Sequence, residues 1–222
     1  MPSRSHLRSR PSADARAALP PGLTPLGLGA PRDGLLHVPE AGGATPTPLV
    51  VLLHGAGSSA SAAIPILADL AEEHGLALLA PDSRGSTWDV IRGGFGPDVE
   101  FIDSALEHVF ARWPVDPARV AVGGFSDGAS YALSLGIGNG DLFTHVIAFS
   151  PGFAAPAARV GRPRMYLTHG THDRVLPIDR CSRRLVPLFE AGEYDVTYEE
   201  FDGGHTVPAE LAGRAVAWLS DG

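Results

Sequence analysis

At 222 residues, 44% hydrophobic and 19% charged, the chain has material for one large globular domain, and no apolar run approaches the ~20 residues that span a bilayer. A formal charge of −8 argues against a nucleic-acid partner, which calls for a basic face. All 17 basic residues are arginines, which excludes Ser–Lys dyads, Schiff-base lysines and phosphate loops ending in Gly-Lys-Ser/Thr; the single cysteine, Cys181, excludes an internal disulfide and suits a reducing compartment, so a cytoplasmic location is expected.

Residues 1–16 hold Arg4, Arg8, Arg10 and Arg16 against Asp14, without the apolar stretch of about 7–15 residues that marks a secretory signal. Residues 1–24 are expected to form a disordered or loosely packed tail, and 25–222 a single domain. Residues 34–38 read as a short strand. Pro46-Thr-Pro48 punctuates the chain before 49–53, Leu-Val-Val-Leu-Leu, whose unbroken apolar run suits a central parallel strand buried on both faces. The spacing of Ile64, Leu67, Leu70 and Ala71 predicts a helix over 62–74. Residues 76–80 form the next buried strand, stopped by Pro81. A glycine-rich loop over 82–96 contains Trp88, and Pro97 opens a helix reaching 113. Residues 115–118 read as a turn into a strand over 120–123, and a helix covers 129–135. Further strands are predicted at 145–149, 164–168 and 195–201, with helices at 178–191 and 209–220. This alternation predicts an α/β fold with a mostly parallel central sheet and helices on both faces. Ligands of such sheets bind beyond the carboxyl ends of the strands.

At the junction between the strand over 120–123 and the helix over 129–135 stands Gly124-Phe125-Ser126-Asp127-Gly128. A serine between glycines at a strand-to-helix junction reads as a nucleophile elbow, in which a sharp turn lifts the hydroxyl above the sheet edge. A serine hydroxyl needs a base, and the base an orienting acid. The chain order Ser, Asp, His expected of this architecture is met by Asp173 in "THGTHDRVLP" and His205 in "FDGGHTVPAE". His145, His169 and His172 are rivals of His205. Asp202 and Asp179 are rivals of Asp173, but Asp202 shares the loop of His205, and Asp179 falls in the next helix. The group His54, His169, His172, Asp173 and His205 lacks the spacing of a helical zinc motif, so neither a metal nor another cofactor is expected. The oxyanion hole would use the N–H of Asp127 and that of Ala56, the latter in "LLHGAGSS", where His54 and Gly55 make a tight turn.

The segments "LLHGAGSS", "VAVGGFSDGA", "HGTHDRVLP" and "GGHTVP" resemble those of the α/β-hydrolase superfamily, and most closely its phospholipase/carboxylesterase group of small serine esterases, which includes acyl-protein thioesterases. The resemblance runs from about residue 35 to the C-terminus. It implies an α/β-hydrolase fold and a serine nucleophile. It departs from many members of the group at Asp127, where they carry glutamine.

Residues 150–163, "SPGFAAPAARVGRP", are too short and too rich in Pro, Gly and Ala for a helical cap domain, so the site should be open. Its lining is expected from His54, Gly55, Trp88, Ile91, Phe153, Val175 and Leu176. The reading is a carboxylic-ester hydrolase acting on small-molecule esters, with short acyl or aryl esters preferred. A serine peptidase, amidase or thioesterase would use the same apparatus, and a non-catalytic hydrolase-like binding module is the remaining alternative. Oligomeric state is left open.

Overall fold

In the computed structural model, which describes residues 5–41, 43 and 45–221, eight strands form one sheet: β1 (Gly22–Pro25), β2 (Gly34–Val38), β3 (Thr47–Leu53), β4 (Ala77–Pro81), β5 (Val115–Phe125), β6 (His145–Phe149), β7 (Arg164–Gly170) and β8 (Val196–Phe201). Their order in space is β1-β2-β4-β3-β5-β6-β7-β8. β1 and β2 run antiparallel at one edge, and the strands from β4 to β8 pair in parallel. The helices are α1 (Ala60–Ala63), α2 (Ala68–His74), α3 (Pro97–Phe110), α4 (Asp127–Gly138), α5 (Ser182–Ala191) and α6 (Ala209–Ser220). Among the described residues no helix is long and apolar enough to cross a membrane.

Leu49 to Leu53 are wholly inaccessible because both faces of β3 are covered. Side chains alternate between the faces of a strand. Leu49, Val51 and Leu53 therefore pack with Ile102 and Leu106 of α3, Leu133 of α4 and Phe189 of α5, while Val50 and Leu52 meet Ala63, Ala71 and Val216 of α1, α2 and α6. Full burial of each such side chain contributes about 1.5–3 kcal/mol. From β3 the chain moves outward to β4, then returns across β3 to β5. That reversal opens a crevice between the loops after β3 and β5, where ligands of open α/β sheets bind.

Three helical or turn expectations are corrected. The helix over 62–74 is interrupted by a 3-10 turn, Ile64–Ile66, because the ring of Pro65 lacks an N–H and crowds the preceding turn. The helix over 178–191 is likewise a 3-10 turn, Ile178–Arg180, and then α5, with Cys181 between them at φ −118, ψ −106, outside helical space. The turn over 115–118 is an irregularity inside β5: Val115 lies opposite Thr47 and Val120 opposite Leu49.

The expected loose tail is also corrected for its described part; residues 1–4 lie outside the described residues. Leu7 is fully buried and its N–H donates to Asn139 Oδ1 at 2.8 Å. The N–H groups of Arg8 and Ser9 donate to Asp103 Oδ1, Arg10 pairs with Asp141, and residues 22–24 already belong to β1. An apolar anchor with paired backbone donors on both sides is enough to dock a polar segment.

Candidate active site

Ser126 joins β5 to α4 with φ 58 and ψ −121, a conformation that costs a non-glycine residue on the order of 1–3 kcal/mol. Its neighbours explain the two glycines. A Cβ on Gly124 would stand 2.6 Å from Leu53 O, and one on Gly128 would overlap the carbonyls of Leu53 and His54. The first turn of α4 therefore passes directly over the end of β3, and only glycine fits there.

The loop after β8 brings His205 to the serine, with Nε2 2.9 Å from Ser126 Oγ and Nδ1 2.6 Å from Asp173 Oδ2. The loop after β7 supplies Asp173. The two loops are joined by the Thr171 N–H donating to Phe201 O and the His172 N–H donating to Gly203 O, each at 2.9 Å. Gly170 permits this approach, since a Cβ there would overlap the carbonyls of Gly203 and Gly204. Asp173 Oδ1 accepts from the N–H groups of Val175 and Leu176, both at 2.8 Å. Burial pushes the Asp173 pKa up, but the Leu176 amide, the His205 hydrogen bond and charge, and the Val175 amide outweigh it and hold it below the ordinary carboxylate value. An ionised Asp173 only accepts, so Nδ1 of His205 carries the proton and Nε2 is left to accept from the Ser126 hydroxyl. Asp202 meets only the exposed His172, at 3.0 Å.

Gly55 runs beside the serine: a Cβ there would lie 3.5 Å from Ser126 Cβ. The N–H groups of Ala56 and Asp127 make no hydrogen bond among the described residues. The loop that carries Ala56 is held from behind. His54 Nδ1 donates to Gly55 O at 2.7 Å, the Ser83 N–H donates to His54 Nε2 at 3.0 Å, and Trp88 Nε1 donates to His54 O at 2.8 Å. Burial lowers the His54 pKa, and the imidazole stays neutral in this role. The Asp127 carboxylate accepts from Thr87 Oγ1 at 2.7 Å, so its charge is paired with the 82–96 loop.

A cavity of about 440 Å³ opens beside Ser126 and His205, lined by His54, Gly55, Ala56, Phe125 and Val175 together with Ser58 and the α1 side. Four of the expected lining residues lie elsewhere. Trp88 is fully buried and stacks on Tyr131 at 5.1 Å, a strut beneath the loop rather than a wall of the site. Ile91 packs against the core, and Phe153 is half-buried outside the cavity lining. Leu176 is absent from the lining as well; it covers Gly152 and holds Asp173 through its backbone. The residues missed are Ser58, Ala62 and Ala63, Ile66 in the 3-10 turn with Pro65, and Phe125, whose ring lies 4.6 Å from that of His205. The signal available was the alanine run beside Pro65.

Topology and site geometry define a class: the chain has the α/β-hydrolase fold, with a hydrogen-bonded Ser, His and Asp at the carboxyl edge of the sheet. Solved structures share this fold. Esterase PE8 superposes with a TM-score of 0.69 and 25% identity, over 85% of this chain and 97% of that one. FphF, a fluorophosphonate-binding serine hydrolase of Staphylococcus aureus, gives a TM-score of 0.70 at 15% identity, over 90% and 99% of the two chains. A truncated carbohydrate esterase from gut microbiota gives 0.72 at 13%, over 96% and 99%. No protein-family model matches the chain, and no curated protein matches it in sequence.

Proposed function

We propose that the chain is a serine carboxylic-ester hydrolase working through an acyl-enzyme. The observation that carries this reading is the unbroken hydrogen-bond line Ser126–His205–Asp173. Ser126 Oγ attacks the ester carbonyl carbon while His205 Nε2 takes its proton. The oxyanion that forms faces the N–H groups of Ala56 and Asp127. The imidazolium returns its proton to the departing alcohol oxygen as the C–O bond breaks, leaving the acyl group on Ser126. Water, deprotonated by His205, then repeats the sequence and releases the acid. Asp173 keeps the proton on Nδ1 and stabilises the imidazolium without accepting it.

Away from the histidines and serines the cavity is lined by apolar residues, among them Ala62, Ala63, Ile66, Phe125 and Val175, and its volume of about 440 Å³ suits a short acyl chain or an aryl ring. Esters are favoured over amides by the names of the structural neighbours, esterase PE8 among them. The test is hydrolysis of p-nitrophenyl esters of graded acyl length beside a thioester and a peptide anilide. kcat/KM should be highest for short acyl groups, with no jump in rate at the micelle threshold. Ser126→Ala should lose on the order of 10⁴- to 10⁶-fold in kcat together with fluorophosphonate labelling. Turnover retained in that variant, or an anilide cleaved faster than every ester, would defeat the proposal.

A further inference from the structure

His169 is the penultimate residue of β7 and is fully buried, four residues ahead of Asp173. Its Nε2 lies 2.8 Å from Leu176 O and 3.3 Å from Asp173 Oδ2. Both partners only accept, so Nε2 carries a proton; its hydrogen bond runs to Leu176 O, with Asp173 Oδ2 as a longer electrostatic contact, and the Ser182 hydroxyl, 2.7 Å from Nδ1, donates to the other nitrogen. The imidazole is not among the residues that line the cavity. Resting on the triad reading above, we propose that His169 is a positioning residue for Asp173: a second imidazole that occupies one side of Oδ2 and leaves the other aimed at His205 Nδ1.

The carboxylate then has three hydrogen-bond donors, Val175 and Leu176 on Oδ1 and His205 on Oδ2, and the His169 N–H group as a further electrostatic contact 3.3 Å from Oδ2. Rotation about its last bond would break several of them at once. Each donor also draws negative charge from the carboxylate and reduces its basicity. The proton shared with His205 therefore stays on the imidazole, and the imidazolium formed during the reaction is stabilised without being locked in. A histidine that merely fills the core would affect folding alone.

The other titratable groups facing this array are few. Cys181, before α5, feels Asp173, and its thiol is pushed up, first by burial and then by that charge. Arg180 lies near the same thiol. Glu200 of β8 feels His169 and is held low, first by its hydrogen bond to Arg183. The pair His172 and Asp202 lies out in solvent. The thiol stays protonated and Glu200 ionised across the acid limb of the rate profile, so neither supplies a competing transition there.

The test compares wild type, His169→Phe and His169→Gln in the pH profile of p-nitrophenyl acetate hydrolysis, with fluorophosphonate labelling in parallel. Phe keeps the ring and removes the donor. Gln restores an N–H near the position of Nε2. In His169→Phe the more basic Asp173 should move the acid limb of kcat/KM up by about half a pH unit. It should also lower kcat by about tenfold at unchanged KM, far less than the ~10⁴ lost when the base adopts the wrong tautomer. His169→Gln should recover most of both effects. A folded His169→Phe with the wild-type limb, a change confined to KM, or a Gln variant as impaired as Phe would overturn the inference. If His169→Phe does not fold, Ser182→Ala keeps the imidazole and frees its tautomer; the same displacement of the limb, smaller, is expected, and an unmoved limb overturns the inference there too. Labelling that survives Ser126→Ala would defeat the triad reading and this inference with it, whereas an unmoved limb with Ser126-dependent labelling intact defeats only the part given to His169.

Discussion

At the scale of single residues, the site turns on which carboxylate addresses His205. Asp173 and Asp202 lie on adjacent loops and both face a histidine, but their settings differ. Asp173 is buried beneath three hydrogen-bond donors and the His169 contact, while Asp202 and His172 are mostly exposed, and exposed ion pairs contribute about 0–1 kcal/mol. Asp173→Asn keeps the shape and turns an acceptor into a donor on one side, which reverses the tautomer of His205. Activity should fall on the order of 10⁴-fold, whereas Asp202→Asn should stay within about twofold of wild type. Purified variants assayed side by side for kcat decide the matter, and the opposite ranking would move the acid to the other loop. That Ser126, Asp173 and His205 come together was legible in the sequence, because chain order and loop position suffice to choose among few acids and histidines. The second partner of Asp173 was not. His169 reads as the last residue of a strand, and its inward aim depends on where Leu176 and Ser182 fold back upon it.

At the scale of elements, the elbow is a packing problem as much as a catalytic one. α4 starts so close to β3 that the backbone of Gly128 touches the Leu53 and His54 carbonyls. Gly128→Ala must push α4 away from β3 or bend the loop that carries Ala56. Overpacking of this kind costs about 1–3 kcal/mol or more. We expect a lower urea midpoint and a loss of activity larger than the loss of folded protein accounts for, measured by unfolding curves and active-site titration on the same preparation. A variant with normal stability and activity would show that α4 can yield. Other elements show what patterning conveys. β2, β6 and α6 have the bounds predicted for them, since Gly34 and Pro208 mark changes of backbone and the apolar runs between turns are unambiguous. The breaks at Pro65 and Cys181 were missed because apolar spacing continues through both. The cavity followed the same rule. Aromatic residues drew attention to Trp88 and Phe153, yet Trp88 supports the loop after β3 through the His54 carbonyl, and part of the wall comes from Ala62, Ala63 and Ile66, in a helical stretch whose interruption was not foreseen. The 150–163 link is no moving cover: the Gly152 N–H donates to Ser130 Oγ and the Ala155 N–H to Ser134 Oγ, each at 2.9 Å, which fastens it to α4.

At the scale of the whole molecule, the histidines set how the fold responds to acid. Burial holds the pKa of His54 and of His169 below 6.5, and burial, aided by Arg164 and opposed by Asp195, takes that of His145 down to about 4. His145 meets Trp218 edge-on at 5.0 Å, and its Nε2 is buried without a partner among the described residues. A proton added there would have no acceptor. The unfolded chain binds that proton near pH 6.5 and the folded chain only near 4, so the unfolded state takes up more protons as the pH falls between those values. The stability from these neutral histidines is complete above 6.5 and is lost as the pH falls below it, for His145 on the way down to about 4. Asp173 acts in the same direction lower still, because its depressed pKa contributes stability that is lost as the pH drops through its folded value. Asp98 opposes them. Burial raises its pKa, though amides of Arg84 and Asp89 offset part of this, and its protonation favours the folded state as acid is added. Three imidazoles outweigh one carboxyl, so the melting temperature should fall between pH 7 and pH 5 by about 3–10 °C, equivalent to about 1–3 kcal/mol. His145→Asn removes the group with the largest displacement and should flatten the slope while lowering stability at neutral pH. Calorimetric scans of both proteins at matched ionic strength measure this. Parallel curves for the two would mean that His145 exchanges its proton freely in the folded state and that the acid response lies with other groups.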